Sequence, residues 1–158
     1  MKDIKPDITF HLYQMDELTN EDRALVKKAL EATETSYSPY SHFSVGAAIR
    51  LANGEILTGS NQENAAYPSG LCAERTVLFY AGSHYPDVAV GTLAIAAHNE
   101  LEHFSFAPPC GACRQVMLET QQRGKRPLRT LLYSPEGILE VAKVEDLLPL
   151  SFDADKMK

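Results

Sequence analysis

The sequence predicts an α/β fold: five strands in a mixed sheet, with helices over both faces. Three observations point there. Leu18, Leu25, Val26, Ala29, Leu30 and Thr33 recur at helical spacing, whereas Val45, Ala47 and Ile49 alternate with Ser44, Gly46 and Arg50 as in a half-buried strand. Asn53-Gly54 then joins two strand-like stretches, a strong two-residue hairpin signal. Beyond the hairpin the patterns continue in the overall order α-β-β-α-β-α-β-β-α, and helices inserted between strands cover both faces of a sheet.

Residues 1–16 show no period and read as an N-terminal arm, leaving 17–158 as a single domain. Thr19 followed by Asp22 resembles a capping box and opens a first helix that runs to about Thr35, where Ser38-Pro39-Tyr40-Ser41 breaks it. Residues 43–52 and 55–59 are the hairpin strands. Residues 61–70, polar and containing Pro68 and Gly70, form a loop that delivers the chain to a helix beginning after Cys72. Residues 88–97 are the longest apolar run; with Gly91 and Thr92 inside it, the run is too short to span a bilayer and suits a buried strand. Residues 98–106 show no pattern. Pro108-Pro109 stiffens the approach to another helix, which ends near Gly124. Residues 129–133 and 138–143 read as two further strands around Ser134-Pro135-Glu136-Gly137, and residues 144–148 as a short helix.

Composition narrows the function. Of 158 residues 44% are hydrophobic and 23% charged, ordinary for a globular chain. A net charge of −6 argues against duplex DNA or tRNA as a partner. The one basic cluster, Arg123, Lys125, Arg126 and Arg129, reads as a solvated loop after a helix. Three cysteines with no obvious pairing suit a reducing compartment, and no apolar run follows Met1-Lys2-Asp3-Ile4-Lys5-Pro6, so the expected location is cytoplasmic.

All three cysteines fall in two short segments, Leu71-Cys72-Ala73-Glu74-Arg75 and Pro109-Cys110-Gly111-Ala112-Cys113-Arg114-Gln115. The C-x-x-C spacing lets two thiolates converge on one metal. Each segment opens a helix, where unpaired N–H groups and the positive end of the dipole favour anionic sulfur. Three thiolates around Zn²⁺ carry a net charge of −1, and Arg75 and Gln115, on the first turns, are placed to donate to the sulfurs. There is no fourth cysteine, and the histidines at 11, 42, 84, 98 and 103 stand at no ligand spacing, so one coordination position is left for water. Glu74, two residues past Cys72, is the candidate proton carrier; charge complementarity at a helix N-terminus is its plainer reading. A redox C-x-x-C pair and three inert buried cysteines are the other readings of the sulfurs.

The two segments resemble the zinc motifs of the small, homotetrameric cytidine deaminases. The likeness extends through Ser38-Pro39-Tyr40-Ser41-His42-Phe43-Ser44-Val45-Gly46-Ala47-Ala48 and Asn61-Gln62-Glu63-Asn64-Ala65-Ala66-Tyr67-Pro68 to Leu147-Leu148-Pro149-Leu150-Ser151-Phe152. It implies a three-layer α/β/α sandwich around a five-stranded mixed sheet, one zinc per subunit on Cys72, Cys110 and Cys113, and Glu74 as the catalytic acid and base. The implied substrate is a small nucleoside, cytidine or 2′-deoxycytidine, with neither nucleic acid nor membrane as partner. Phe43 matches the residue that packs on the base, Ala73 a backbone contact to the base edge, and Asn61 and Glu63 the pair that binds ribose hydroxyls. Tyr67 and Phe152 match residues that reach a neighbouring subunit's site in a homotetramer. Gln62 departs from the family's aliphatic residue, and both residues 88–108 and the N-terminal arm are long for it. A non-catalytic zinc-stabilised binding module, a polynucleotide-editing deaminase and a nucleoside-antibiotic deaminase are the rival readings.

Overall fold

The structure is a computed structural model that describes residues 1–158. Its sheet has the strand order β1-β6-β5-β4-β2-β3, built from β1 (Phe10–Tyr13), β2 (Ser44–Leu51), β3 (Ile56–Ser60), β4 (Val90–His98), β5 (Arg129–Ser134) and β6 (Gly137–Val141). Only β4 and β5 run parallel; the remaining pairs are antiparallel. Helix α1 (Asn20–Ala32) lies on one face, while α2 (Ala73–His84) and α3 (Gly111–Gly124) pack side by side on the other.

The two faces differ because strand side chains alternate. Ala47, Ile49, Leu51, Leu93, Ile95 and Leu132 point to the α2–α3 side and form the larger apolar cluster. Ala48, Ala94, Ala96 and Leu131 point to the α1 side, a surface of mostly small residues. That choice lets α1 lie close to the sheet. At Gly46 a Cβ would sit 2.1 Å from the Ala29 carbonyl oxygen and 2.6 Å from the Thr33 nitrogen, so only glycine fits. The hairpin glycine answers a different need: Gly54 adopts φ +90° in the turn between β2 and β3, whereas Asn53 does not have a positive φ. Leu51 N–H donates to the Glu55 carbonyl at 2.9 Å, so residues 52–54 make a three-residue turn in place of the expected two-residue one.

Helix α1 starts where its sequence signals. Thr19 Oγ1 accepts from the Asp22 N–H at 3.1 Å. The Asp22 carboxylate crosses to the sheet instead, where it meets Arg50 on β2 at 2.8 Å and Arg129 on β5. Arg129 also faces Glu140 on β6 at 3.5 Å. It therefore belongs to an ion network at the sheet surface, which corrects its assignment to a solvated loop. The helix stops at Ala32, and Thr33–Thr35 continues as a 3-10 turn. Helix α3 ends at Gly124 with Lys125 in the left-handed region, φ +50°.

Two further differences from the sequence reading have physical causes. The sheet has six strands rather than five, because Phe10–Tyr13 pairs antiparallel with β6. This strand is four residues long, and its apolar side chains Phe10 and Leu12 remain exposed, so no burial pattern marks it. The short helix expected at 144–148 is a 3-10 turn, Val144–Asp146. No helix is long and apolar enough to cross a membrane.

Candidate metal and nucleoside site

The site is built by two helix starts. Cys72 and Cys110 are the N-cap residues of α2 and α3, both with extended backbone, and neither side chain caps its own helix. Because α2 and α3 pack against each other, their first turns meet. Cys113, in the first turn of α3, is wholly buried.

The sulfurs converge. Cys72 Sγ lies 3.8 Å from Cys110 Sγ, and Cys110 Sγ lies 3.4 Å from Cys113 Sγ. All three ligand atoms fall within 4.8 Å of one another. Two thiolates ~2.3 Å from one tetrahedral zinc sit roughly 3.8 Å apart, so the cluster fits that ion with little adjustment. No cysteine is in a disulfide, and no other group of three or more His, Cys, Asp or Glu side chains is gathered closely enough to hold a metal.

The thiols are electrostatically distinct. The Cys72 thiol is pushed down to about 5, chiefly by the hydrogen bond from Cys113 and further by Arg75 and Cys110, against the effect of burial. Cys113, the donor in that pair and buried, is pushed up. Arg75 Nη2 donates to Cys72 Sγ at 3.4 Å, which places a positive charge beside the anionic cluster. Gln115 was expected to serve the sulfurs as well, but its amide Nε2 donates to the Phe152 carbonyl at 2.8 Å and fastens the C-terminal segment to α3.

Glu74 stands in the first turn of α2 and is only 5% exposed. Burial pushes its carboxyl up, and the Cys72 thiolate adds to the effect. A carboxyl held above its ordinary range beside an anionic metal cluster is suited to taking and returning a proton. Ala73, immediately before it, is fully buried.

Next to the sulfurs opens a cleft of about 500 Å³, which meets them at Cys72 and Arg75 and is also lined by Tyr40, Asn61, Glu63 and Tyr67. Ligand pockets of about this size take small organic molecules. Asn61 and Glu63 sit on the stretch leaving β3. The Asn61 amide is heavily engaged: Oδ1 accepts from Val45 N–H at 2.8 Å and from Ser36 Oγ at 2.6 Å, and Nδ2 donates to the Phe43 carbonyl at 2.9 Å. Glu63 Oε2 accepts from the Tyr40 and Ser41 N–H groups at 2.9 and 3.2 Å. Its carboxyl is held below the usual value, first by the Ser41 side chain.

The remaining expected residues are less gathered. Phe43 is half-buried, and neither it nor Phe152 lines the cleft. Tyr67 is 75% exposed and edge-on to Tyr40, with ring centroids 5.9 Å apart. Phe152 is 60% exposed. The sequence reading missed the part played by Ser36, Tyr40 and Ser41, which orient the two polar residues of the cleft. For Tyr40 and Ser41 the signal lay in Ser38-Pro39-Tyr40-Ser41, which was read as a helix breaker and as part of the family likeness, without a role for either residue; Ser36 carried no signal. A second cavity, of about 300 Å³, opens between the C-terminal ends of α2 and α3, away from the sulfurs.

Comparison with known proteins agrees with this geometry. A family model described as the cytidine and deoxycytidylate deaminase zinc-binding region matches residues 19–125. A cytidine deaminase of Halalkalibacterium halodurans is 41% identical over 135 residues, covering 84% of this chain and 95% of the relative. Among solved structures, a cytidine deaminase from Burkholderia pseudomallei superposes with a TM-score of 0.71 at 39% identity, over 85% of this chain and 100% of the other. That from Mycobacterium tuberculosis gives 0.61 at 34% identity, over 82% and 95%.

Proposed function

Because the chain belongs to the cytidine and deoxycytidylate deaminase family, we propose that it hydrolyses the C4 amine of cytidine and 2′-deoxycytidine. Water enters, uridine or 2′-deoxyuridine forms, and ammonia leaves, a reaction of pyrimidine salvage. The observation that carries this reading is the convergence of three thiols at two helix N-termini, beside a buried carboxyl and a nucleoside-sized cleft.

Cys72, Cys110 and Cys113 would hold one zinc ion per subunit. The ion supplies a Lewis-acidic position that makes water a nucleophile near neutral pH. Glu74 accepts the proton of the attacking water and passes it to N3 of the pyrimidine as C4 is attacked. The same carboxylate then takes the second proton from the hydroxyl now on C4 and delivers it to the amine as the C4–N bond breaks and the carbonyl forms. Two protons are accepted, two are given, and none is gained or lost at the residue. Arg75 offsets the excess negative charge of three sulfurs, as its contact with Cys72 supports.

Substrate orientation falls to the cleft. The engaged Asn61 oxygen leaves that residue one free N–H to offer, and Glu63 keeps Oε1 as an acceptor. Together they can satisfy both halves of a ribose hydroxyl, which accepts from one and donates to the other. By the family likeness Phe43 is assigned to pack on the base and the Ala73 backbone to contact its edge, although neither lines the cleft of the single protomer. Neither Tyr67 nor Phe152 is covered within the protomer, and both are taken to reach a neighbouring subunit's site in a homotetramer; the exposed Phe79, Tyr80 and Leu150 support such burial between copies. Residues 17–158 form the catalytic domain, with 1–16 as an arm that contributes β1. A net charge of −6 favours a free nucleoside over a polynucleotide, and three unpaired thiols favour the cytoplasm.

An ultraviolet assay of the purified protein with cytidine, 2′-deoxycytidine, adenosine and free cytosine tests the proposal. Turnover of the first two with release of ammonia is expected; activity on adenosine or cytosine alone, or none on any, would overturn it.

A further inference from the structure

We infer that Ser36 is a positioning residue of the nucleoside cleft: its hydroxyl makes Asn61 a pure hydrogen-bond donor toward the bound sugar. The inference rests on the deaminase reading and adds a residue that none of the recognised motifs contains. Ser36 stands just past the 3-10 turn that ends the first helical segment, with extended backbone, φ −60° and ψ 135°.

The orientation of the Asn61 amide is set by backbone, not by choice. Val45 N–H faces Oδ1 and the Phe43 carbonyl faces Nδ2. A flipped amide would oppose donor to donor and acceptor to acceptor. Those two bonds leave Oδ1 one lone pair and Nδ2 one hydrogen. Ser36 Oγ, at 2.6 Å, occupies that last lone pair. Oδ1 has nothing to donate, so Ser36 is the donor in this bond, the shorter of its two contacts; its oxygen also lies 3.1 Å from Ser38 Oγ. What remains of Asn61 is a single N–H.

Glu63 is constrained in the complementary sense. The Tyr40 and Ser41 amides secure Oε2, and the ionised carboxyl can only accept. A sugar hydroxyl between the two has one arrangement that satisfies every group. Without Ser36, Oδ1 regains an open lone pair that competes with Glu63 for the hydroxyl proton or recruits water. The donor–acceptor polarity of the seat is then lost, while the sulfur cluster and Glu74 are untouched.

The test is Ser36→Ala assayed with cytidine, 2′-deoxycytidine and 3′-deoxycytidine. For cytidine, KM should rise about three- to tenfold with kcat unchanged, the effect of one neutral hydrogen bond. The penalty should vanish for whichever deoxy substrate lacks the seated hydroxyl, and Ser36→Thr, which keeps the hydroxyl, should return KM toward the wild-type value. A penalty equal for all three substrates, one that falls on kcat, or no penalty at all overturns the inference while leaving the deaminase reading intact. A wild-type protein inactive on cytidine overturns both. If Ser36→Ala does not fold, Ser36→Cys, of similar volume and weaker donor strength, carries the same comparison with the same outcomes.

Discussion

Asp22 offers the most quantitative test of the fold. Its side chain is 7% exposed and bridges α1 to two strands through Arg50 and Arg129. Burial alone pushes the carboxyl up, but hydrogen bonds from the two guanidinium groups outweigh it and hold the group below its ordinary value near 3.8. In Asp22→Asn the shape is kept and the charge lost. Arg129 retains Glu140, whereas Arg50 is left with a 3.4 Å contact to Thr92 Oγ1. Breaking a fully buried pair costs about 3–5 kcal/mol. Since the two arginine side chains are 21% and 32% exposed, water offsets part of that, and we expect about 2–3 kcal/mol, or roughly 4–12 °C in Tm.

The pH dependence separates this account from simple misfit. A depressed carboxyl contributes stability that is fully present above its unfolded value and is lost as pH falls through the folded one. The gap between wild type and Asp22→Asn should therefore be full at neutral pH and close below about 3.8. Urea or thermal unfolding of zinc-free protein, at fixed protomer concentration, measures it. A gap that is absent at neutral pH, or one that persists unchanged into acid, would refute the reasoning.

Three further outcomes are expected. Gly46→Ala drives a methyl into the Ala29 carbonyl and should cost about 3 kcal/mol or more, seen as lost soluble yield or a lowered Tm; a wild-type melting curve would contradict it. Arg75→Ala removes the donor to Cys72 and should weaken zinc binding about tenfold in competition with a chromogenic chelator, with unchanged affinity as the contrary result. Deleting residues 1–9, all outside the sheet, should leave Tm within about 1–2 °C. Deleting through Tyr13 uncovers the edge of β6 and should lower it clearly; equal curves would mean that β1 adds nothing.

The parts legible in the sequence are those whose causes are local. Thr19 announces the start of α1 because its hydroxyl meets an N–H three residues on, and Asn53-Gly54 announces the hairpin because the turn requires a positive φ. The zinc cluster was legible because its residue types are rare and its spacing is set by a single helical turn. What escaped was non-local. Strand β1 exists through pairing with β6, over a hundred residues away, and buries too little to leave a pattern. Arg129 looked like part of a basic loop until α1 brought Asp22 to it. Gln115 sits on the expected turn, but a C-terminal carbonyl claims its amide. Asn61 and Glu63 were legible only through the family likeness, as a pair for ribose hydroxyls; their orientation by Ser36, Tyr40 and Ser41 was not.

The central claim is that three sulfurs hold a zinc ion at which Glu74 moves the protons of a hydrolytic deamination. The most direct test measures metal content and cytidine turnover together in wild type and Glu74→Gln. The account predicts one zinc per subunit in both proteins, ammonia release by the wild type, and loss of turnover in the variant by a factor of ~100 or more. A zinc-free wild type, or a zinc-loaded Glu74→Gln that deaminates cytidine at the wild-type rate, would contradict it.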